Sequence, residues 1–253
     1  MLVQVEDEAA IKLITIVNIT LSMGELEEYP QPSVAVDVVV FTVGNSELRV
    51  LLIKRGLPPF KGSWCLPGGF IKLAETLKDA AKRELEEETG IAHKDLYLEQ
   101  LYTFGGQKRD PRGRVISVAY FVLVDSTKTK PFVTGNEKIE DVQWFSVNNL
   151  PELAFDHEDI IKYAVKRLSY KLEYTAVGFE LLPELFTLTD LQKLYEVILS
   201  EKLDKRNFRK KITSLGILEQ TKHYKKGQHR PASLYKFKKA KPLSTFKRVQ
   251  FEK

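Results

Sequence analysis

Residues 69–91 read GFIKLAETLKDAAKRELEEETGI, and no other stretch of the 253-residue chain so narrows what it can become. Placed on one helix over Thr76–Thr89, Leu77, Ala80, Ala81 and Leu85 share a stripe, while Lys78, Asp79, Lys82 and Glu86 take the wet side. The other acids break that pattern. Taking Leu77 as zero, Glu84 falls at about 340°, Glu87 at about 280° and Glu88 at about 20°, so three carboxylates continue the inward stripe. They also crowd the last turn before Gly90, where the helix dipole disfavours anions and neighbouring acids repel. An acidic surface end is the ordinary meaning of a Glu-rich run, but angle and dipole both weigh against it here. Charges placed this way call for a cation. Carboxylates at i, i+3 and i+4 suit a hard ion such as Mg²⁺ or Mn²⁺, which keeps waters and substrate phosphates in its remaining positions. Metal-assisted phosphoanhydride chemistry follows.

The same residues fill every fixed position of the pattern G-x5-E-x7-R-E-U-x-E-E-x-G-U, with U aliphatic: Gly69, Glu75, Arg83, Glu84, Leu85, Glu87, Glu88, Gly90 and Ile91. This resembles a Nudix box, and the flanking LLIKR (51–55) and WCLPGGF (64–70) resemble the strand and loop before one. The fold that the resemblance implies is α+β, a Nudix α/β/α sandwich with a mixed sheet.

At 253 residues the chain exceeds one such domain and leaves room for a second, smaller one. Hydrophobic content of 43% and charged content of 29% are those of a soluble globular protein. The single cysteine, Cys65, excludes an intrachain disulfide, reads as a small buried residue beside Trp64, and suits a reducing cytoplasm. Residues 9–23 are apolar, yet VEDE precedes them where a signal peptide needs positive charge, and the run is too short for a bilayer. The divisions expected are an N-terminal segment 1–29, a Nudix domain 30–178, a winged helix-turn-helix domain 179–245 and a basic tail 246–253.

Charge separates these parts. Residues 179–253 hold 18 Lys plus Arg against 8 Asp plus Glu, a net of +10, and the remainder holds 21 against 26, a net of −5. A ligand-handling module joined to a nucleic-acid-binding one fits this division.

Along the chain, Ser33–Val43 and Leu48–Lys54 read as strands of a hairpin around GNSE, and Asp95–Phe104, Val115–Val124 and Val142–Phe145 as further strands. The GGQKRDPRGR segment is a basic turn whose Arg109, Arg112 and Arg114 either reach substrate phosphate or stand solvated. A helix follows with Ile160, Ile161, Ala164, Val165, Leu168 and Leu172 inside; Asp156 and His157 read better as its cap and first turn than as a catalytic pair. Thr187 or Thr189 caps the next helix, and a turn at 201–203 leads to a second helix, 205–215. Phe208, Ile212 and Leu215 form its core face, with Lys205, Arg206, Arg209, Lys210 and Thr213 assigned to an outward, DNA-facing side. ILEQT and LYKF then flank HYKKGQHRPA, a basic hairpin tip that includes Arg230. Two helices and a basic ribbon make a winged helix-turn-helix, its second helix entering the major groove.

Residues 30–240 as a whole resemble the NrtR-type Nudix regulators, through segments such as LLIKRGLPPFKGSWCLPGGF, RDPRGRVISVAYF, LAFDH and LDKRNFRKK. The resemblance implies a homodimer that represses NAD-biosynthesis or sugar-related operons and leaves double-stranded DNA when ADP-ribose or a related nucleotide binds. It also implies roles. Glu84, Glu87 and Glu88 ligate Mg²⁺ or Mn²⁺, Arg83 orients them, Glu75 binds metal through water or holds the loop, and Gly68, Gly69 and Gly90 shape the backbone around substrate. Glu137 is the candidate general base. Because every box position is filled, hydrolysis of ADP-ribose to AMP and ribose 5-phosphate is expected beside regulation. The alternatives are a ligand-sensing repressor without turnover and a housekeeping hydrolase of RNA or oxidised nucleotides.

Overall fold

The computed structural model describes residues 29–92, 96–125, 129–133, 137–225 and 231–238. Contacts divide the chain into two units, Met1–Ser33 and Val34–Lys253. Residues 1–28, Arg230 and the tail 246–253 lie outside the described residues.

The valine-rich run becomes β1 (Ser33–Gly44), which turns through Asn45 and Ser46 at φ 54° and 61° into β2 (Glu47–Arg55). Two successive left-handed residues give a turn whose twist suits antiparallel strands, and Phe41 pairs with Val50 across them. β3 (Trp64–Cys65), β4 (Gly68–Phe70), β5 (Tyr97–Phe104), β6 (Val115–Leu123) and β7 (Ile139–Ser146) complete a seven-stranded sheet. The strand order is β3-β2-β1-β6-β5, with β4 paired to β1 and β7 to β2.

Alternation along the strands builds two cores. Val36, Val38, Val40, Val118, Tyr120 and Val122 meet Ala80, Ala81 and Leu85 of α1 (Leu77–Thr89) on one face. Val39, Phe41, Ala119, Phe121 and Leu123 meet Ile160, Ile161, Ala164 and Leu168 of α2 (His157–Leu172) on the other. This is the helix–sheet–helix sandwich expected. α1 starts where Thr76 accepts from Asp79 N and stops at Gly90, whose φ is 69°.

A 3₁₀ turn, Ala176–Leu181, leads to α3 (Leu188–Leu199), α4 (Lys205–Ser214) and the ribbon β8 (Leu218–Lys225) and β9 (Ala232–Phe237). Of the two threonines proposed as cap, Thr187 performs it, in a reciprocal capping box with Asp190. Asp204 caps α4. Phe186 and Tyr235 exchange backbone hydrogen bonds of 3.0 and 2.8 Å, which fastens the ribbon to the segment before α3. Leu191, Leu194 and Tyr195 of α3 and Phe208 and Ile212 of α4 belong to the same hydrophobic cluster as Phe41 and Leu168. At about 1.5–3 kcal/mol for each large side chain buried, that shared core makes the join between the parts a packed contact and not a tether. No helix among the described residues is long and apolar enough to cross a membrane.

Candidate functional site

Pairing of β4 with β1 sets Gly68 opposite Asp37 and Gly69 opposite Val36, and so brings the start of the box against the C-terminal half of α1. Between them opens a cavity of about 410 Å³, lined by Gly68, Gly69, Phe70, Arg83, Glu84, Glu87 and Glu88 on one side and by Asp37, Arg109, Arg112, Lys138, Phe155 and His157 around the rest.

Arg83 organises the acidic wall. Its Nε and Nη2 donate to the two carboxylate oxygens of Glu75 at 2.9 and 2.6 Å, and Nη1 donates to Glu84 at 2.7 Å and to Glu87 at 3.3 Å. Glu75 also accepts from Lys72 N at 2.7 Å. Hydrogen bonding to Arg83, then to Lys72 N, holds the Glu75 carboxyl down at about 2. Both its oxygens are thereby committed and it is not part of the cavity wall. Of the two roles foreseen for Glu75, the geometry is that of the loop anchor, not the ligand.

Glu84 and Glu88 are buried, whereas the Glu87 side chain is 49% exposed. Glu88 accepts from Gly68 N at 2.8 Å. Burial nonetheless raises its carboxyl to about 8 against that hydrogen bond, and the nearby Glu84 adds to the rise. Gly69 is needed for closeness: a Cβ built there lies 2.3 Å from Glu84 Oε1.

On the opposite wall and in the loops beside it, several expected site residues are otherwise engaged. Arg109 is not a free phosphate hand. Its side chain is 5% exposed and donates to Asp156 at 2.9 and 2.7 Å and to Asp37 at 3.2 Å. Asp156 occupies the N-cap position of α2 without a side-chain cap bond, because its carboxylate is turned to Arg109. His157 Nδ1 accepts from Leu66 N at 2.8 Å while Nε2 faces Asp37 Oδ1 at 3.5 Å, so the ring carries its proton on Nε2. Burial lowers the His157 pKa, opposed by Asp37. Arg114 donates to the carbonyls of Gly105 and Gly106 and does not line the cavity. Glu137 is exposed and outside the lining; Lys138 takes that place in the wall and favours the charged form of Glu88. Of the three loop arginines, Arg109 and Arg112 line the cavity, and Arg112 is the more exposed of the two, held by buried Asp110.

In the C-terminal part, Lys205, Arg206, Lys210 and Thr213 are exposed on α4. Arg209 is not: it is half-buried and donates to Thr189 Oγ1 at 3.2 Å. At about 100° from Phe208 it sits at the flank of the core face, where a long stem lies across the neighbouring helix.

Residues 32–166 match the NUDIX domain family, and residues 178–237 match the NrtR DNA-binding winged helix domain. The chain belongs to the Nudix family, in its NrtR-type branch. An ADPR responsive transcriptional repressor NtrR of Acinetobacter baylyi is 41% identical over 219 residues, 86% of either chain. An ADP-ribose pyrophosphatase of Methanocaldococcus jannaschii is 42% identical over 134 residues, 53% of this chain and 73% of its own. The crystal structure of Shewanella oneidensis NrtR complexed with a 27mer DNA aligns with a TM-score of 0.68 at 34% identity, covering 81% of this chain and 93% of that one.

Nudix domains typically use a divalent metal. The carboxylates of the Nudix box are of the donor type that a hard cation takes. A buried carboxyl raised as Glu88 is returns to its charged form beside a cation. Among the described residues no group of three or more His, Cys, Asp or Glu side chains is arranged to hold a metal ion, and Arg83 donates to both Glu84 and Glu87. The wall formed by Asp37, Arg109 and His157, with Asp156 bonded to Arg109, escaped the motif because each residue has an ordinary meaning alone; the LAFDH and RDPRGR segments were its visible signs.

Proposed function

We propose that this protein is an ADP-ribose-responsive transcriptional repressor whose Nudix domain also hydrolyses ADP-ribose to AMP and ribose 5-phosphate. The observation that carries the reading is the complete acidic wall of the cavity, set in a fold that shares its core with a winged helix. The descriptions of the Acinetobacter repressor and of the Methanocaldococcus pyrophosphatase support its two halves.

In this reading Glu84, Glu87 and Glu88 hold Mg²⁺ or Mn²⁺. The metal supplies charge stabilisation on the pyrophosphate and an activated water. Arg83 positions the carboxylates, and Gly68 N–H keeps Glu88 aimed into the cavity. Lys72 and Lys138 bring positive charge to walls that face a diphosphate. Lys205, Arg206, Lys210 and Thr213 present the DNA-facing side, Lys and Arg meeting phosphates and fixing register. Arg230, which lies outside the described residues, is assigned to the same surface on the sequence alone.

Two measurements test the halves separately. A mobility shift on the DNA upstream of its own operon is expected to give a complex that ADP-ribose dissolves; a complex indifferent to ADP-ribose overturns the regulatory half. Release of AMP with Mn²⁺ is expected from the parent and not from Glu87→Gln; equal turnover by both overturns the catalytic half. Binding without turnover is the second reading, and the commitment of Arg83 to Glu84 and Glu87 favours it. The RNA-directed alternative finds little support, since Tyr224 is exposed on the ribbon but Tyr235 is half-buried and engaged with Phe186.

A further inference from the structure

The mouth of the cavity is aromatic. Phe70 is 42% exposed at the end of β4, and Phe60 is 43% exposed and packs edge-on against Phe155 at 4.9 Å. Arg112 lies between two of these rings, with its guanidinium carbon 5.0 Å from the Phe70 centroid and 5.6 Å from that of Phe155. Phe155 is held in the left-handed region at φ 57°, a conformation that aromatic residues rarely adopt and that surrounding structure must enforce. Here the enforcement is visible on both sides: Ala154 N donates to Trp64 O at 2.9 Å, and Asp156 is clamped by Arg109.

The setting of Arg112 argues against a phosphate contact. Its Nε and Nη2 donate to the two oxygens of Asp110 at 3.0 and 2.7 Å, and its backbone N donates to the same carboxylate at 2.9 Å. Asp110 is buried, so one of the two forked edges of the guanidinium, Nε with Nη2, is spent on an anion that also offsets its charge. What that pair leaves is the Nη1 end and the part of the planar face that Phe70 and Phe155 do not cover. A guanidinium neutralised along one edge and set against phenylalanine rings is suited to stacking on a flat π-system.

We infer that Arg112, Phe70 and Phe155 form a stacking platform for the aromatic base of the nucleoside diphosphate, so that Arg112 recognises the base and not a phosphate. The acidic wall with Arg83, Glu84 and Glu87 then takes the diphosphate end, and the ligand runs from the metal-binding carboxylates to the aromatic mouth. This inference rests on the reading of the cavity as a nucleotide site, and it assigns the part of the ligand that each wall meets.

Calorimetric titration of the full chain with Ca²⁺ in place of Mg²⁺ or Mn²⁺, a hard cation that takes the same oxygen ligands, and with AMP release checked to be nil, tests it with ADP-ribose, AMP and ribose 5-phosphate. The parent is expected to bind AMP at least about tenfold more tightly than ribose 5-phosphate, the ordinary size of one base-stacking contact. Phe70→Leu keeps apolar bulk and Arg112→Lys keeps charge, yet each is expected to weaken ADP-ribose and AMP by about tenfold while ribose 5-phosphate changes by less than about twofold. Equal weakening of all three ligands by Arg112→Lys would make Arg112 a phosphate ligand and overturn the platform. Unchanged ADP-ribose affinity in both variants overturns it too, leaving the proposed effector intact. If the parent binds AMP with a preference the variants lose, but does not bind ADP-ribose, the platform stands and the effector falls. A parent that binds none of the three overturns both.

Discussion

At the scale of single residues, the space that a methyl group on Gly69 would fill is already taken by Glu84. The clash at 2.3 Å is with a carboxylate oxygen at the tip of a side chain, which can swing away without moving backbone. Gly69→Ala is therefore expected to fold as the parent does, by circular dichroism, yet to lose about 10–100-fold in Mn²⁺ affinity, the usual cost of disturbing a ligand's surroundings. Unaltered Mn²⁺ binding would remove Glu84 from the ligand set. His157 makes a second prediction. Its Nδ1 must stay unprotonated to accept from Leu66 N, and burial lowers its pKa below the ordinary 6.5. A histidine whose folded pKa is depressed contributes stability in full above about pH 6.5 and loses it as pH falls through the folded value. The urea midpoint of the parent should thus drop more between pH 7 and pH 5 than that of His157→Asn, whose amide oxygen can still accept from Leu66 N; parallel drops would refute this. The box glutamates were legible because helical angle and a fixed spacing lie within one segment. Arg109 was not, because its partners Asp37 and Asp156 stand 72 and 47 residues away and a loop arginine reads as solvated.

At the scale of elements, α2 is the piece that touches both ends of the proposed function. Its first residue, His157, lines the cavity. Three turns on, Ser169 Oγ donates to Ile198 O of α3 at 3.1 Å, and Tyr195 OH of α3 donates to Leu172 O at 3.4 Å. A helix moves as a rod over this length, so a shift at the Asp156–His157 end reaches the winged helix through those bonds. Ser169→Ala combined with Tyr195→Phe is expected to leave ADP-ribose affinity within about twofold while shrinking the factor by which ADP-ribose weakens DNA binding, a factor ordinarily of about 5–150. Mobility shifts at graded ADP-ribose concentrations measure it, and an unchanged factor would exclude this route. The long elements were readable from period and caps. β3 and β4, of two and three residues, show no period at all, and backbone pairing with β2 and β1 alone makes them strands. β7 extends three residues earlier than the apolar run suggested, since Asp141 and Ile139 pair with Lys54 and Arg55 of β2 across a register shift.

At the scale of the whole molecule, charge is divided: residues 179–253 carry a net +10 and the remainder −5. The like charges within the C-terminal part repel, and among the described residues Lys205, Arg206, Lys210, Lys222 and Lys225 are exposed to water around a core of Leu191, Leu194, Phe208 and Ile212. Such a basic surface binds DNA by releasing counterions, and the affinity then falls with salt in proportion to the number of phosphates met. Lys205, Arg206 and Lys210 are exposed, whereas Arg209 is half-buried and donates to Thr189, so residues adjacent in sequence should behave differently. Replacing Lys205, Arg206 and Lys210 by Ala together is expected to reduce the slope of log K against log salt by about three, roughly one for each phosphate that is no longer neutralised. Arg209→Ala is expected to lower the melting temperature and the affinity while leaving the slope within about half a unit, because it removes a packing and hydrogen-bonding link between α3 and α4. Filter binding at graded KCl concentrations separates the two cases. A slope that falls by one in Arg209→Ala, with no change in melting temperature, would return that arginine to the DNA-facing side and redraw the orientation of α4 in the groove.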